Sequence, residues 1–228
     1  MHKIELKWDC FCRGEELDTN KDFLKNHGGI YVWIFNGKPP RVAYIGETGN
    51  YFKRFAKDHF SNILSGRWST YKVPKEQDFI KFLCKNVIKK TYKDIKDERK
   101  YYRTYNLDAK EFKFKDHFFD KDYLSMHREF LFNLRFTFAS IPEEHKEMRK
   151  DIEAALIIKI RETYAKENKI EPEDFILPGG RSWRDTPFGT ISRKPKKDYS
   201  IKHCGKFKEK LPEEITKIHD YKIDLKDQ

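Results

Sequence analysis

Long apolar runs are missing from this chain. Its longest aliphatic stretch, Ala154-Ala155-Leu156-Ile157-Ile158, falls far short of the roughly 20 residues that span a bilayer. The opening residues, Met1-His2-Lys3-Ile4-Glu5-Leu6-Lys7, have no apolar core of the kind a secretion signal needs. Cysteine is scarce. Cys10, Cys12, Cys84 and Cys204 make neither a disulfide framework nor a zinc spacing, and read as free thiols. No glycine-rich loop ends in Lys-Ser/Thr, which argues against nucleoside-triphosphate hydrolysis. Internal repeats and low-complexity runs are also lacking. These absences predict a soluble, cytoplasmic protein with no membrane partner.

What is present is positive charge and aromatic mass. The 228 residues carry a formal net charge of +11, with a pI near 9.3. The 19 Phe and 12 Tyr supply enough burial energy to argue against disorder, although 37% of residues are charged. A length of this order predicts one elaborated domain. The charge is uneven. Residues 179–210 hold ten Lys/Arg against three acids, which is +7 of the total. This loop-rich stretch includes Arg181, Trp183, Arg184, Arg193, Lys194, Lys196 and Lys197, candidates for contact with double-stranded DNA. Two arginines around Trp183 suit entry into a groove; a structural Trp anchor is the plain alternative.

Local pattern predicts the elements. Residues 29–35, Gly-Ile-Tyr-Val-Trp-Ile-Phe, are rich in β-branched and aromatic types and read as a strand. Asn36-Gly37 signals a hairpin, and 41–46 is the returning strand. Helices are expected over 51–64, 79–88, 120–134 and 143–164 from apolar residues at helical steps. Alternation over 135–141 predicts another strand, closed by Pro142.

One constellation carries chemistry. Gly29-Ile30-Tyr31 opens the first strand and Tyr44-Ile45-Gly46 ends the second. Lys53 and Arg54 follow on the helix, and Glu153 lies on a later one. A hairpin brings the two tyrosines onto adjacent strands. This set resembles the GIY-YIG endonuclease family over about residues 28–64 and 135–168. The resemblance implies an α+β fold, with a small three-stranded antiparallel sheet flanked by helices. Residues 65–134 would then be a helical insertion for DNA recognition, and 169–228 a basic, loop-rich extension contacting DNA.

The resemblance also implies single-metal phosphodiester hydrolysis with Mg²⁺ or Mn²⁺. Tyr31 would deprotonate or position the attacking water, and Tyr44 would contact the phosphate or its water. Arg54 would stabilise negative charge, and Glu153 would bind the metal. Physical chemistry agrees with these roles. A phenol titrates near 10, so a catalytic Tyr31 needs a lowered pKa, which Arg54 and Lys53 are expected to supply. Arginine's planar fork suits a phosphate. Mg²⁺ keeps several waters and accepts one protein carboxylate.

Two positions depart from the family pattern. The family commonly has a His four residues after the Arg, where this chain has Asp58, with His59 next. Five steps of an α-helix rotate about 140° off the starting face, so His59 qualifies only if the helix is irregular. Asn168 matches a late family Asn, although a helix-end Asn is the plain alternative. The functional expectation is a sequence-specific DNA endonuclease, a type II restriction enzyme acting as a homodimer. A structure-specific repair or homing-type nuclease, or a catalytically silent nucleic-acid-binding module, are the alternatives.

Overall fold

A computed structural model describes residues 1–64, 70–71, 78, 81, 102–103, 121–169 and 195–223. The expected helix over 79–88 apart from residue 81, Cys84, and Arg181, Trp183, Arg184, Arg193 and Lys194 lie outside these residues, as does most of the expected 65–134 insertion.

The architecture is α+β, but the sheet is larger than the three strands expected. Among the described residues eight strands form: β1 (His2–Cys12), β2 (Gly29–Phe35), β3 (Arg41–Thr48), β4 (Thr70–Tyr71), β5 (Tyr102–Arg103), β6 (Leu134–Ser140), β7 (Tyr199–Cys204) and β8 (Asp220–Tyr221). Six of them make one mixed sheet in the order β3-β2-β6-β1-β7-β8, while β4 and β5 pair separately. All neighbours in the large sheet are antiparallel except β1 and β7, which run parallel from His2↔Tyr199 to Lys7↔Cys204.

The physical reason for the larger sheet is strict alternation at both ends of the chain. In β1, Ile4, Leu6, Trp8, Cys10 and Cys12 are buried, while Lys3, Glu5 and Lys7 are exposed. That is the period of two that places every second side chain on one face. In β7, Tyr199, Ile201 and His203 repeat the pattern. The described part of the expected basic extension is therefore built into the core. Trp8 and His203 lock the two strands together. Trp8 Nε1–H can only donate, and it lies 3.1 Å from His203 Nδ1. That nitrogen must accept, so Nε2–H donates to the Ile218 carbonyl at 2.9 Å.

β2 is buried along its whole length, as expected for a strand with sheet neighbours on both sides and helices above. Its Tyr31 and Trp33 share a face with Phe136 and Phe138 of β6. That face is covered by the segment α2 (Tyr51–Lys53), a π-helical turn (Arg54–His59) and α3 (Phe60–Leu64). Phe55 packs 5.3 Å from Tyr31 and 5.1 Å from Phe138, centroid to centroid. α1 (Lys21–Asn26) abuts α2, and α4 (Lys121–Phe132) precedes β6. The expected helix over 143–164 starts as a 3₁₀ segment, Glu143–Met148, and continues as α5 (Arg149–Asn168), which lies against β3 and β2. α6 (Glu213–Thr216) packs on α5. Cys10, Cys12 and Cys204 are free thiols. Among the described residues, no helix is long and apolar enough to cross a membrane.

Removing residues 195–228 should therefore unfold the protein rather than trim it. β1 would lose its β7 partner, and Trp8 would lose its hydrogen-bond acceptor. A truncated chain is expected to lose cooperative thermal unfolding in circular dichroism; an unchanged Tm would show the segment to be dispensable.

Candidate active site

The two tripeptides meet for steric reasons. Tyr31 and Gly46 are direct cross-strand partners, and the Tyr31 phenol folds across the Gly46 backbone. A Cβ at residue 46 would lie inside the Tyr31 ring. Gly29, at φ +151, uses a backbone region that favours glycine. A Cβ there would strike the Ala139 carbonyl and crowd the Tyr51 hydroxyl.

Tyr31 is completely buried, and two side chains converge on its oxygen. His59 Nε2 shares a hydrogen bond with it at 2.6 Å, and Arg54 Nε–H donates to it at 3.2 Å. Both residues reach it because the helix is irregular there. The Phe60 N–H bonds the Phe55 carbonyl, five residues back, so one turn holds an extra residue. His59 then stacks on the face that carries Arg54 instead of lying about 140° away. Asp58, in the position where the family has its His, pairs with Arg54 Nη1 at 3.1 Å and steadies the guanidinium.

Tyr44 is half-buried. Its ring lies 5.9 Å from Tyr31 and 5.6 Å from His59, and the two phenols interact directly. Glu153 reaches the same end of β3 from α5. Its Oε1 accepts the Glu47 N–H at 3.1 Å, and its charge acts on the Tyr44 phenol. A cleft of about 430 Å³ opens here, lined by Glu47, Thr48, Gly49, Asn50, Lys53, Arg54 and Asp58. Asn50 caps the helix, its Oδ1 accepting the Lys53 N–H at 2.9 Å.

The electrostatics differ from expectation. Arg54 was expected to lower the Tyr31 pKa, together with Lys53. Burial dominates instead and, with the neighbouring Tyr44, holds Tyr31 well above the ordinary phenol range; the Arg54 charge and hydrogen bond only oppose this. Burial, then the charge of Glu153, raises Tyr44. Burial, then the charge of Arg54, pushes His59 down to about 3. At neutral pH the cluster therefore holds two phenols and a neutral imidazole beside one permanent cation.

Tyr31, Tyr44, Arg54 and His59 thus stand together, with Lys53 on the cleft wall and Glu153 adjoining it. Asn168 does not join them. It ends α5, fifteen residues and about 22 Å of helix from Glu153, and its Nδ2 donates to the Tyr164 carbonyl at 2.8 Å. Lys196 and Lys197 are exposed at the other end of α5, where the Lys196 N–H bonds the buried Asp151 carboxylate at 3.1 Å. The sequence reading had not singled out Glu47, Glu143 or Arg149. The signal available for Arg149 was its place four residues before Glu153, on the same helix face. No family model, curated protein or solved structure matches the chain.

The neutral His59 gives a test of this geometry. Its folded pKa lies below the ordinary 6.5, so the unfolded chain binds a proton that the native one excludes. Stability should fall as pH drops from about 6.5 toward about 3, by up to ~1.4 kcal/mol per pH unit for this one proton. Urea midpoints measured across that window should fall less steeply in His59→Gln. An unchanged slope would mean that His59 is not held neutral against Tyr31.

Proposed function

We propose that this protein is a metal-dependent DNA endonuclease of the GIY-YIG type, acting as a sequence-specific restriction enzyme. One observation carries the reading: the Tyr31 oxygen is held between His59 Nε2 and Arg54 Nε at a cleft that adjoins Glu153. A packing aromatic needs neither contact.

The chain's residues divide the work as follows. Tyr44, the less buried of the two phenols, accepts a proton from the attacking water as it passes its own to Tyr31. Tyr31 hands its proton to His59 Nε2, the accepting nitrogen of the neutral imidazole when its proton is on Nδ1. Arg54 Nε–H supports negative charge on the Tyr31 oxygen during this transfer, and its guanidinium faces the cleft as a phosphate anchor. Lys53 adds charge at the rim. This relay needs no lowered tyrosine pKa, since no phenolate accumulates.

The donor set fits Mg²⁺. Among the described residues there is no group of three or more His, Cys, Asp or Glu that could hold a metal. A single carboxylate steadied by a backbone N–H suits an ion that keeps most of its water. Glu153 would hold it, and a bound Mg²⁺ would neutralise charge on the leaving 3′ oxygen. One such site per chain cuts one strand, so a double-strand break at a palindrome takes two copies of the protein.

A second reading has one observation behind it. Tyr31 has no exposed surface, which favours a silent DNA-binding module. Supercoiled plasmid separates the two. With Mg²⁺, the wild-type protein should yield discrete fragments, and Glu153→Ala or Arg54→Ala should cut on the order of 10²–10³ times more slowly. Retarded but uncut DNA, alike in all three proteins, would leave the binding module.

A further inference from the structure

A second cation sits next to the proposed active site and is not used by the relay. Arg149 lies one helical turn before Glu153 on α5, so both project from one face. Its side chain is only 7% exposed, and its Nε–H has no hydrogen-bond partner among the described residues. Nη1 lies against Gly49 in the cleft wall, where a Cβ would come within 3.3 Å. Nη2 donates to the Ile141 carbonyl at 3.4 Å and to Glu143 Oε2 at 2.7 Å.

Glu143 is the unusual partner. A buried guanidinium is normally compensated by a buried anion, because an isolated charge is costly to desolvate. Here the compensating carboxylate is 70% exposed. Its other oxygen meets Lys146 Nζ at 3.4 Å, in a residue also more than half exposed. The carboxylate stays in water when it swings away, and an anion that takes its place keeps the guanidinium compensated. Glu143 leaves behind Arg149 Nη2 and the Lys146 ammonium, at and just before the start of a 20-residue helix, whose dipole favours an anion. A phosphodiester carries the same single charge and offers one oxygen to Nη2 and one to Lys146, as Glu143 does.

We propose that Arg149 and Lys146 form a phosphate subsite beside the scissile position, which the Glu143 carboxylate occupies in the free protein. The inference rests on the nuclease reading and names a positioning contact within it. One helical turn along α5 separates Arg149 from Glu153, so the contact falls on a phosphate next to the one being cut. Glu143 then acts as an internal competitor, and the DNA backbone must displace it before the strand seats fully.

The test is DNA binding without Mg²⁺, followed by fluorescence anisotropy of a labelled duplex, for wild type, Glu143→Gln, Arg149→Met and the double variant. Glu143→Gln should tighten binding severalfold. Arg149→Met should weaken it and lower the salt slope by about one phosphate contact. The gain from Glu143→Gln should vanish when Arg149 is absent. If Arg149→Met does not fold, Lys146→Ala serves as the second background, where the gain should shrink. An equal gain in every background would reduce Glu143 to a long-range charge and overturn the subsite, as would no gain at all. If wild type cuts plasmid but Glu143→Gln binds DNA no tighter, the subsite alone falls. If wild type binds no DNA at low salt, the nuclease reading falls and the subsite with it.

Discussion

The hydrogen bond between the buried Tyr31 oxygen and His59 Nε2 depends on three separate local facts. Gly46 must lack a side chain, because the phenol lies across it. The helix after Asn50 must carry an extra residue in its turn, because otherwise His59 would face elsewhere. Phe55 and Phe138 must fill the space beside the ring, since a polar pair sealed from water needs close packing around it. Arg54 completes the cluster by donating to the same oxygen. Each of these choices makes sense only if the others are in place.

Burial sets the protonation states of that cluster. Water exclusion disfavours the charged form of every titratable group, so phenols move up and imidazole moves down. Arg54 resists this because its charge is essentially permanent. Two phenols and a neutral imidazole around one cation can pass a proton along a line without storing a phenolate, the proton coming to rest on His59. A deprotonated Tyr31 would instead need more positive charge than this pocket contains.

The sequence made the hairpin, the strand at 134–140 and the long helix legible, because each has a strong period or a turn signal of its own. It also brought Tyr31, Tyr44, Arg54 and Glu153 forward together. β1 was equally readable: Ile4, Leu6, Trp8 and Cys10 alternate with Glu5, Lys7 and Asp9. β7 was harder to read. Its lysines resemble a basic tail, and only its pairing with β1 shows that Tyr199, Ile201 and His203 point inward. The π-helical turn follows from tertiary contact, since Tyr31 and Phe55 select it against the ordinary α-helical register. Asn168 matches in spacing alone, and fifteen residues of helix carry it away from the cleft.

The parallel pairing of β1 with β7 also bears on how the molecule is born. Residues 2–7 wait for residues 199–204 before their second edge is filled, and contacts of such long sequence separation form late and slowly. During synthesis, β1 is left as a half-satisfied strand with Trp8 unpaired, open to wrong partners. The sheet that supports the cleft closes only when residues 199–204 have emerged. A nascent fragment that already contains Tyr31, Arg54 and His59 would thus lack the finished scaffold, so assembly of the sheet itself delays any activity the cleft has until β7 has been made.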